Sequence, residues 1–561
     1  MRLPLVLLLA CPPISAARAQ DSSETGRLRD YLERCERFGF AGSALVARGG
    51  RILVEEGFGL ADRERGIPNS KETLFEIASA TKSFTAVAIL QLEAQGKLST
   101  DDPIAKHLPE APASARDITI YHLLTHTSGM PRAAAGGGED LGGAVGAYLS
   151  APRARKAGAA FEYWNGGYAL LAGIVERASG VSYMEWCRRH IFEPAGMKRS
   201  GFTGEAGLQG AAVGYEGTEA PRRADEPPYG SYGWQYRGMG GLVTSVGDFY
   251  RFDRALRDDT LLPGAARAKL IQPFRESYAC GFYVLDSPRL KIGHGGDVRG
   301  FHCEFSRFPK EDACIVLLCN VGGVPAWALA ENLQALLFGD ASRYPQPPRT
   351  ERWSPEKLRS VAGTYEMAPD ERILASVEGE GIRIAAEGVR TTALLSTSES
   401  GPAVDPDPEL VREAQRIVEA LAKGNVEPLR DRMNRGIPAG WPDMVKSALW
   451  PEHLRRWGRL ERVRVTGASA VPGTTTVLLA LDHDGGRTHV KVGFVADRLQ
   501  ILDLKGPDSL AARLVVPVAE DRLASFSWTG APPPPIAVVR GANGNVARLR
   551  VEGRGGPITF Q

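Results

Sequence analysis

The hydrophobic and polar positions change period several times along the chain, and each change predicts an element. Residues 40–59 hold two apolar, strand-like runs on either side of Arg48-Gly49-Gly50-Arg51, a glycine turn that predicts a β-hairpin. From Ser79 to about Gln95 the chain lacks Gly and Pro, is apolar on nearly all sides and stops at Gly96, which predicts a helix buried inside a domain. Mixed helices and loops are expected over 100–265, with one helix from Tyr168 to Ala178 closed by Gly180. Strands are expected at 278–286, 289–295, 299–307 and 313–319, separated by turns such as Pro309-Lys310-Glu311-Asp312. Strands at both ends with helices between predict one sheet assembled from distant segments, carrying an inserted helical lobe.

The pattern changes after Tyr344-Pro345-Gln346-Pro347-Pro348, whose proline density predicts a linker over 341–352. Residues 353–400 and 525–561 alternate as short strands with Gly-rich turns and predict one β-barrel-like domain in two pieces. Between them, over 405–510, an α+β domain is expected as an insertion. Its helix spans 408–423 with an apolar stripe of Val411, Ala414, Ile417, Val418 and Leu421. Its strands fill 458–504, with a hairpin turn at Asp482-His483-Asp484-Gly485-Gly486.

With 561 residues, 43% hydrophobic and 24% charged, the chain has the balance of an ordinary globular protein, which excludes disorder as its main state and excludes a single small binding module. Sixty-eight basic against 66 acidic residues leave a net charge of +2, so no electrostatic footprint for nucleic acid exists. Met1-Arg2, the apolar run Leu3 to Ala10 and Ala17-Arg18-Ala19 predict an export signal over 1–19 and a periplasmic or secreted protein. Leu8-Leu9-Ala10-Cys11 offers the less favoured alternative of a lipid anchor on Cys11. No later stretch reaches 18 or so unbroken apolar residues, and no membrane span is expected. Cys35, Cys187, Cys280, Cys303, Cys314 and Cys319 permit disulfides with 15 pairings, against the alternative of buried small hydrophobes. No metal or other cofactor is signalled, because Cys-x-x-Cys is absent and His122 and His126 lack the Glu of a zinc helix.

Ser79-Ala80-Thr81-Lys82 places a serine and a lysine at i and i+3, on one face of the helix start. A serine hydroxyl is a poor nucleophile without an adjacent base, and a desolvated lysine supplies one. Ser354-Pro355-Glu356-Lys357 repeats the spacing but reads as a helix N-cap with Pro at the first helical position. What separates Ser79 is its company: Leu123-Leu124-Thr125-His126-Thr127-Ser128-Gly129, Tyr163-Trp164-Asn165, Gly240-Gly241-Leu242-Val243-Thr244-Ser245 with Asp248, and Gly293-His294-Gly295-Gly296-Asp297. Over about residues 25–340 this set resembles the serine β-lactamase-related family, which includes class C β-lactamases, D-alanyl-D-alanine peptidases, D-aminopeptidases and some esterases.

The resemblance implies a β-lactamase/transpeptidase-like α/β fold, an antiparallel sheet with flanking helices and a helical lobe. It implies Ser79 as the acylated nucleophile, Lys82 as its partner and Tyr163 as the proton relay, the phenol becoming a usable base beside the lysine cation. Asn165 is expected to bond Lys82 and substrate. The N–H groups of Ser79 and Asp297 are expected to form an oxyanion hole. Gly295 and Gly296 are expected to let substrate approach the strand. Penicillin-recognising members carry Lys-Thr-Gly where this chain has His294-Gly295-Gly296. That departure is similar to the D-aminopeptidase and esterase-like branches, and it predicts a charge switch at His294 between pH 5 and 8. Trp234, Tyr236 and Arg237 are candidates to line the acyl pocket, and Arg299 is a weaker candidate for a substrate carboxylate.

Residues 361–366 and 547–560 resemble an appended lipocalin-like domain, and 405–505 a cystatin- or NTF2-like domain that would mediate oligomers or bind a ligand. The expected function is an exported serine hydrolase acting on an ester or a D-residue peptide as its small-molecule or peptide substrate. The alternatives are a β-lactamase or DD-peptidase, and a silent binding protein on the same fold.

Overall fold

The central sheet follows from two segments that are apolar at nearly every position. Strands β1 (Gly42–Arg48) and β6 (Ala313–Cys319) lie antiparallel with Leu45 opposite Val316, and both are buried on their two faces. Because successive side chains point to opposite faces, Leu45, Cys314, Val316 and Leu318 enter one core, while Ala44, Val46, Ile315 and Leu317 enter another. With β2 (Arg51–Phe58), β3 (Tyr283–Asp286), β4 (Leu290–Val298) and β5 (Phe301–Phe308), the order is β3-β4-β5-β6-β1-β2, so the two ends of the segment meet as the pattern predicts. The computed structural model describes residues 23–561 apart from 133–135, 139, 217–220, 369–370, 388–406, 434–440, 472–473, 485, 504–512, 525–535, 542–544 and 554–555. The expected export signal and Cys11 lie outside the described residues.

Helices α1 (Glu24–Arg37) and α5 (Ala326–Phe338) cover one face of the sheet. Leu28, Tyr31, Leu32 and Cys35 recur at helical spacing to form the buried stripe of α1. On the other face lie α2 (Thr81–Ala94), α3 (Asn165–Ser179) and α4 (Val246–Ala255). Every residue from Thr81 to Leu92 is buried, which explains why α2 reads as apolar on all sides. Its polar residues are matched: Ser83 donates to the Gly281 carbonyl at 2.7 Å, and Thr85 to that of Gly238 at 2.7 Å.

Two strand boundaries differ from expectation. The strand expected from 278 begins only at Tyr283, because Gly281 adopts φ +73° and packs against the Lys82 carbonyl, where a Cβ would stand 2.8 Å away. The strand expected to end at 295 continues to Val298 and turns at Gly300, φ +77°.

The proline segment is tied down: the Pro345 carbonyl accepts from Asn332 at 3.0 Å and that of Pro347 from Arg34 at 2.5 Å. Beyond it, β7 (Gly363–Ala368), β8 (Glu371–Glu378) and β9 (Gly381–Glu387) continue into β14 (Arg513–Ala519), β15 (Arg522–Ala524), β16 (Ile536–Arg540), β17 (Val546–Gly553) and β18 (Gly556–Phe560). Glu366 and Gln561 exchange backbone hydrogen bonds at 3.0 and 2.9 Å, joining the first strand of this sheet to the residue after its last. The sheet resumes at Arg513 rather than 525, because Ile384 pairs with Arg513 despite Pro517 in that strand. Between the two pieces, Ala414, Ile417, Val418 and Leu421 of α6 (Pro408–Ala422) pack on a four-stranded sheet of β10 (Leu460–Val471), β11 (Thr474–His483), β12 (Gly486–Val495) and β13 (Arg498–Asp503).

All six cysteines from Cys35 to Cys319 are buried free thiols, the alternative to disulfides. Among the described residues no helix is long and apolar enough to cross a membrane.

Candidate active site

Ser79 stands on a single 3-10 turn, Ala78–Ala80, immediately before α2. The turn is held from below, where Phe75 and Glu76 pair with Thr244 and Val243 and Ile77 N–H donates to the Leu242 carbonyl at 2.9 Å. This explains the Gly-Gly-Leu-Val-Thr-Ser segment: Ser245 caps α4, and Asp248 accepts from Arg199 N–H at 2.6 Å and Ser200 at 3.0 Å, anchoring that strand. Ala78 is left at φ +44°, a conformation that costs a non-glycine residue about 1–3 kcal/mol and persists only where its surroundings enforce it.

Strand β4 crosses the same turn. A Cβ on Gly296 would lie 2.2 Å from the Ile77 carbonyl and 2.9 Å from Ser79 N. Gly296 is therefore required by the close approach of β4 to the Ser79 turn. Gly295 is limited from the other face, by Glu304 Oε2 at 2.9 Å.

Lys82 is fully buried, and its ammonium donates to Ser79 Oγ at 3.0 Å and to the Met239 carbonyl at 3.0 Å. No carboxylate pairs with it among the described residues, and burial pushes its amine well below the ordinary lysine range. The expected bond to Asn165 is absent: Asn165 is exposed at the first turn of α3 and lines the cavity, while Met239 supplies the oxygen that Lys82 needs.

The Tyr163 phenol lies beside Ser79, which favours its ionised form, and Lys82 Nζ lies over its ring, 5.0 Å from the centroid. Burial raises the phenol above the ordinary tyrosine range. The expected lowering of the Tyr163 phenol by Lys82 is not found: burial dominates, and the cation that favours its ionised form is Arg132.

His294 is 4% exposed and does not switch near neutrality. The Gly295 carbonyl, 2.5 Å from Nδ1, can only accept, so Nδ1 carries the proton and Nε2 accepts from the Tyr278 hydroxyl at 3.2 Å. Burial, with Lys82 nearby, pushes the imidazole down to about 3. It is neutral throughout pH 5–8, and the expected switch is corrected on that ground.

A cavity of about 240 Å³ opens over Ser79, lined also by Asn165, Asp297, Arg132, Tyr229 and Tyr236. Of the expected pocket residues only Tyr236 lines it, with its hydroxyl donating to Glu76 at 2.5 Å. Trp234 is buried and gives its carbonyl to Tyr148, and Arg237 stacks 4.5 Å over Trp234 and pairs with Glu176 at 3.2 Å. Arg299 lies on the turn after β4, outside the lining. The Asp297 carboxylate meets His302 at 2.7 Å. Arg132 and Tyr229 were missed by sequence reasoning, because both lie in loops where no periodicity marks them.

A family model described as beta-lactamase matches residues 28–337. The chain belongs to this family. Its relatives include a putative penicillin-binding protein PbpX of Bacillus subtilis, 35% identical over 296 residues that cover 52% of this chain and 72% of the relative. They also include the esterase EstB of Burkholderia gladioli, 35% identical over 202 residues, 32% of this chain and 51% of the relative. Among solved structures, the octameric penicillin-binding protein homologue from Pyrococcus abyssi is similar at TM-score 0.52 and 28% identity, covering 65% of this chain and 88% of that one. The protein is a serine hydrolase of the beta-lactamase family with its β-lactamase/transpeptidase-like fold.

Proposed function

We propose that the protein hydrolyses an ester or a D-amino-acid amide through an acyl-enzyme on Ser79. The observation that carries this reading is a buried lysine without a counter-ion, 3.0 Å from Ser79 Oγ. The neutral Lys82 amine takes the Ser79 proton as Oγ attacks the substrate carbonyl, giving a tetrahedral intermediate whose oxyanion faces the N–H groups of Ser79 and Asp297. The intermediate collapses by breaking the bond to the alkoxide or amine, which takes the Tyr163 proton as it leaves, and the Lys82 ammonium returns a proton to Tyr163. Water then repeats the sequence on the acyl-enzyme, releasing the acid and restoring Ser79.

The neutral His294 offers no cation for a carboxylate, which favours esters and amides over β-lactams. A second reading, a DD-peptidase or β-lactamase, is favoured by the Arg132 guanidinium lining the cavity and by the penicillin-binding names among the relatives. Intact mass after exposure to a fluorophosphonate, with parallel assays on p-nitrophenyl esters, D-amino-acid amides and a chromogenic cephalosporin, separates the two. A Ser79 adduct with no cephalosporin turnover supports the first, and no adduct would overturn both. Export through residues 1–19, a discontinuous barrel domain interrupted by 405–510, and assembly through that insertion belong to the same reading. N-terminal sequencing of the mature protein and sedimentation test the first and last.

A further inference from the structure

His126 has no part in the proton transfers above, yet it holds Tyr163 from three directions. Its carbonyl accepts the Glu162 N–H at 2.8 Å, its Nδ1 accepts the Trp164 N–H at 3.1 Å, and its ring lies 4.2 Å from the Tyr163 ring. The residues before and after Tyr163 are thus both tied to one side chain and its own backbone. To reach all three, His126 adopts φ +54°, a left-handed conformation in which a non-glycine residue is uncommon. Tyr278 at 4.8 Å and Tyr168 at 5.1 Å pack its remaining surface.

The imidazole is 2% exposed, and burial with Lys82 and His294 nearby disfavours its charged form. Neutrality is what the geometry needs, because a protonated Nδ1 would face the Trp164 N–H donor to donor. The proton therefore sits on Nε2, which is buried without a hydrogen-bond partner among the described residues. A buried polar atom left unmatched calls for an explanation. Here the ring is kept for its Nδ1 acceptor and its face, at the expense of Nε2.

We propose that His126 is a positioning residue that fixes the Tyr163 phenol against Ser79 and Lys82. The proposal rests on the reading of Tyr163 as proton donor to the leaving group, and the test separates the two. The full-length protein and its Tyr163→Phe, His126→Ala and double variants are assayed on ethyl butyrate, whose alkoxide needs a proton to leave, and on p-nitrophenyl butyrate, whose phenolate does not. Tyr163→Phe is expected to lower kcat/KM, which reports acylation and not the deacylation that both esters share, by about 100-fold on the ethyl ester and by less than about 5-fold on the p-nitrophenyl ester. His126→Ala is expected to reproduce that selective loss in kcat/KM, and the double variant to be no slower than Tyr163→Phe alone.

If circular dichroism shows His126→Ala unfolded, His126→Asn takes its place in the cycle, since asparagine tolerates the left-handed region and its Oδ1 can accept the Trp164 N–H while the ring is lost. A histidine variant that lowers kcat/KM equally on both esters, or whose loss multiplies with that of Tyr163→Phe, would overturn the positioning role. A Tyr163→Phe protein at the wild-type rate on the ethyl ester would overturn the proton-donor reading itself, and the proposal with it. Wild-type protein inert towards both esters would overturn ester hydrolysis.

Discussion

The chain carries the Ser-x-x-Lys spacing twice, and the two copies fold into opposite situations. In Ser354-Pro355-Glu356-Lys357 the serine hydroxyl accepts the Lys357 N–H at 3.1 Å and caps its own helix, while the lysine side chain lies over Trp353 and 3.8 Å from Asp521. In Ser79-Ala80-Thr81-Lys82 the serine sits on a separate 3-10 turn ahead of the helix, so its oxygen caps nothing and receives the Lys82 ammonium instead. The difference teaches that the spacing brings the two residues near, but the hydroxyl is available for chemistry only where the backbone does not consume it. The second difference is solvent. Lys357 keeps contact with water and a carboxylate, whereas Lys82 has neither and its amine loses its proton readily.

The largest effect that would break this contrast is at the nucleophile. Ser79→Ala is expected to lower kcat by 10⁴-fold or more, on the order seen when a nucleophile is removed, while Ser354→Ala leaves it unchanged. Lys82→Met is expected to cost about 10²–10⁴ in turnover and to raise the melting temperature, because an unpaired buried amine is replaced by an apolar chain of similar length. Lys357→Met should change neither, and equal losses from the two lysine variants would end the comparison. Gly296→Ala pushes a Cβ into the Ile77 carbonyl and is expected to lower acylation by about 100-fold. Gly363→Ala at the start of β7, with nothing nearer than 3.8 Å, should be tolerated.

The pH dependence sharpens the same point. With neutral Lys82 as the proposed base, turnover is expected to rise with pH through the depressed lysine titration, and a His294→Asn variant with residual activity to keep that limb. His294 acts on stability instead: the unfolded imidazole binds a proton below about 6.5, and the folded one only near 3. Stability from this group is therefore complete above 6.5 and lost as pH falls towards 3, which melting curves at stepped pH would read. The smallest expected effect is the cap, Ser354→Ala, at about 1 kcal/mol in denaturant unfolding with activity intact.

Where periodicity was strong the sequence was legible. The hairpin at 42–58, the buried helix α2, and α6 with its stripe fold where their patterns place them. Ser79, Lys82 and Tyr163 converge as their motifs led one to expect. The environment of each group was not legible, because it depends on atoms contributed from far along the chain. Met239 rather than Asn165 receives the lysine, Tyr278 helps hold His294 neutral, and Arg132 rather than Arg299 lines the cavity.

By itself, then, the sequence determined which residues are apolar in which period, hence the elements, the two-sided burial of the central strands and the placing of Ser79 and Lys82 on one helix face. Only the tertiary structure decided protonation and access. A side chain's charge state follows from desolvation and from donors brought in across the fold, and neither quantity is encoded in local spacing.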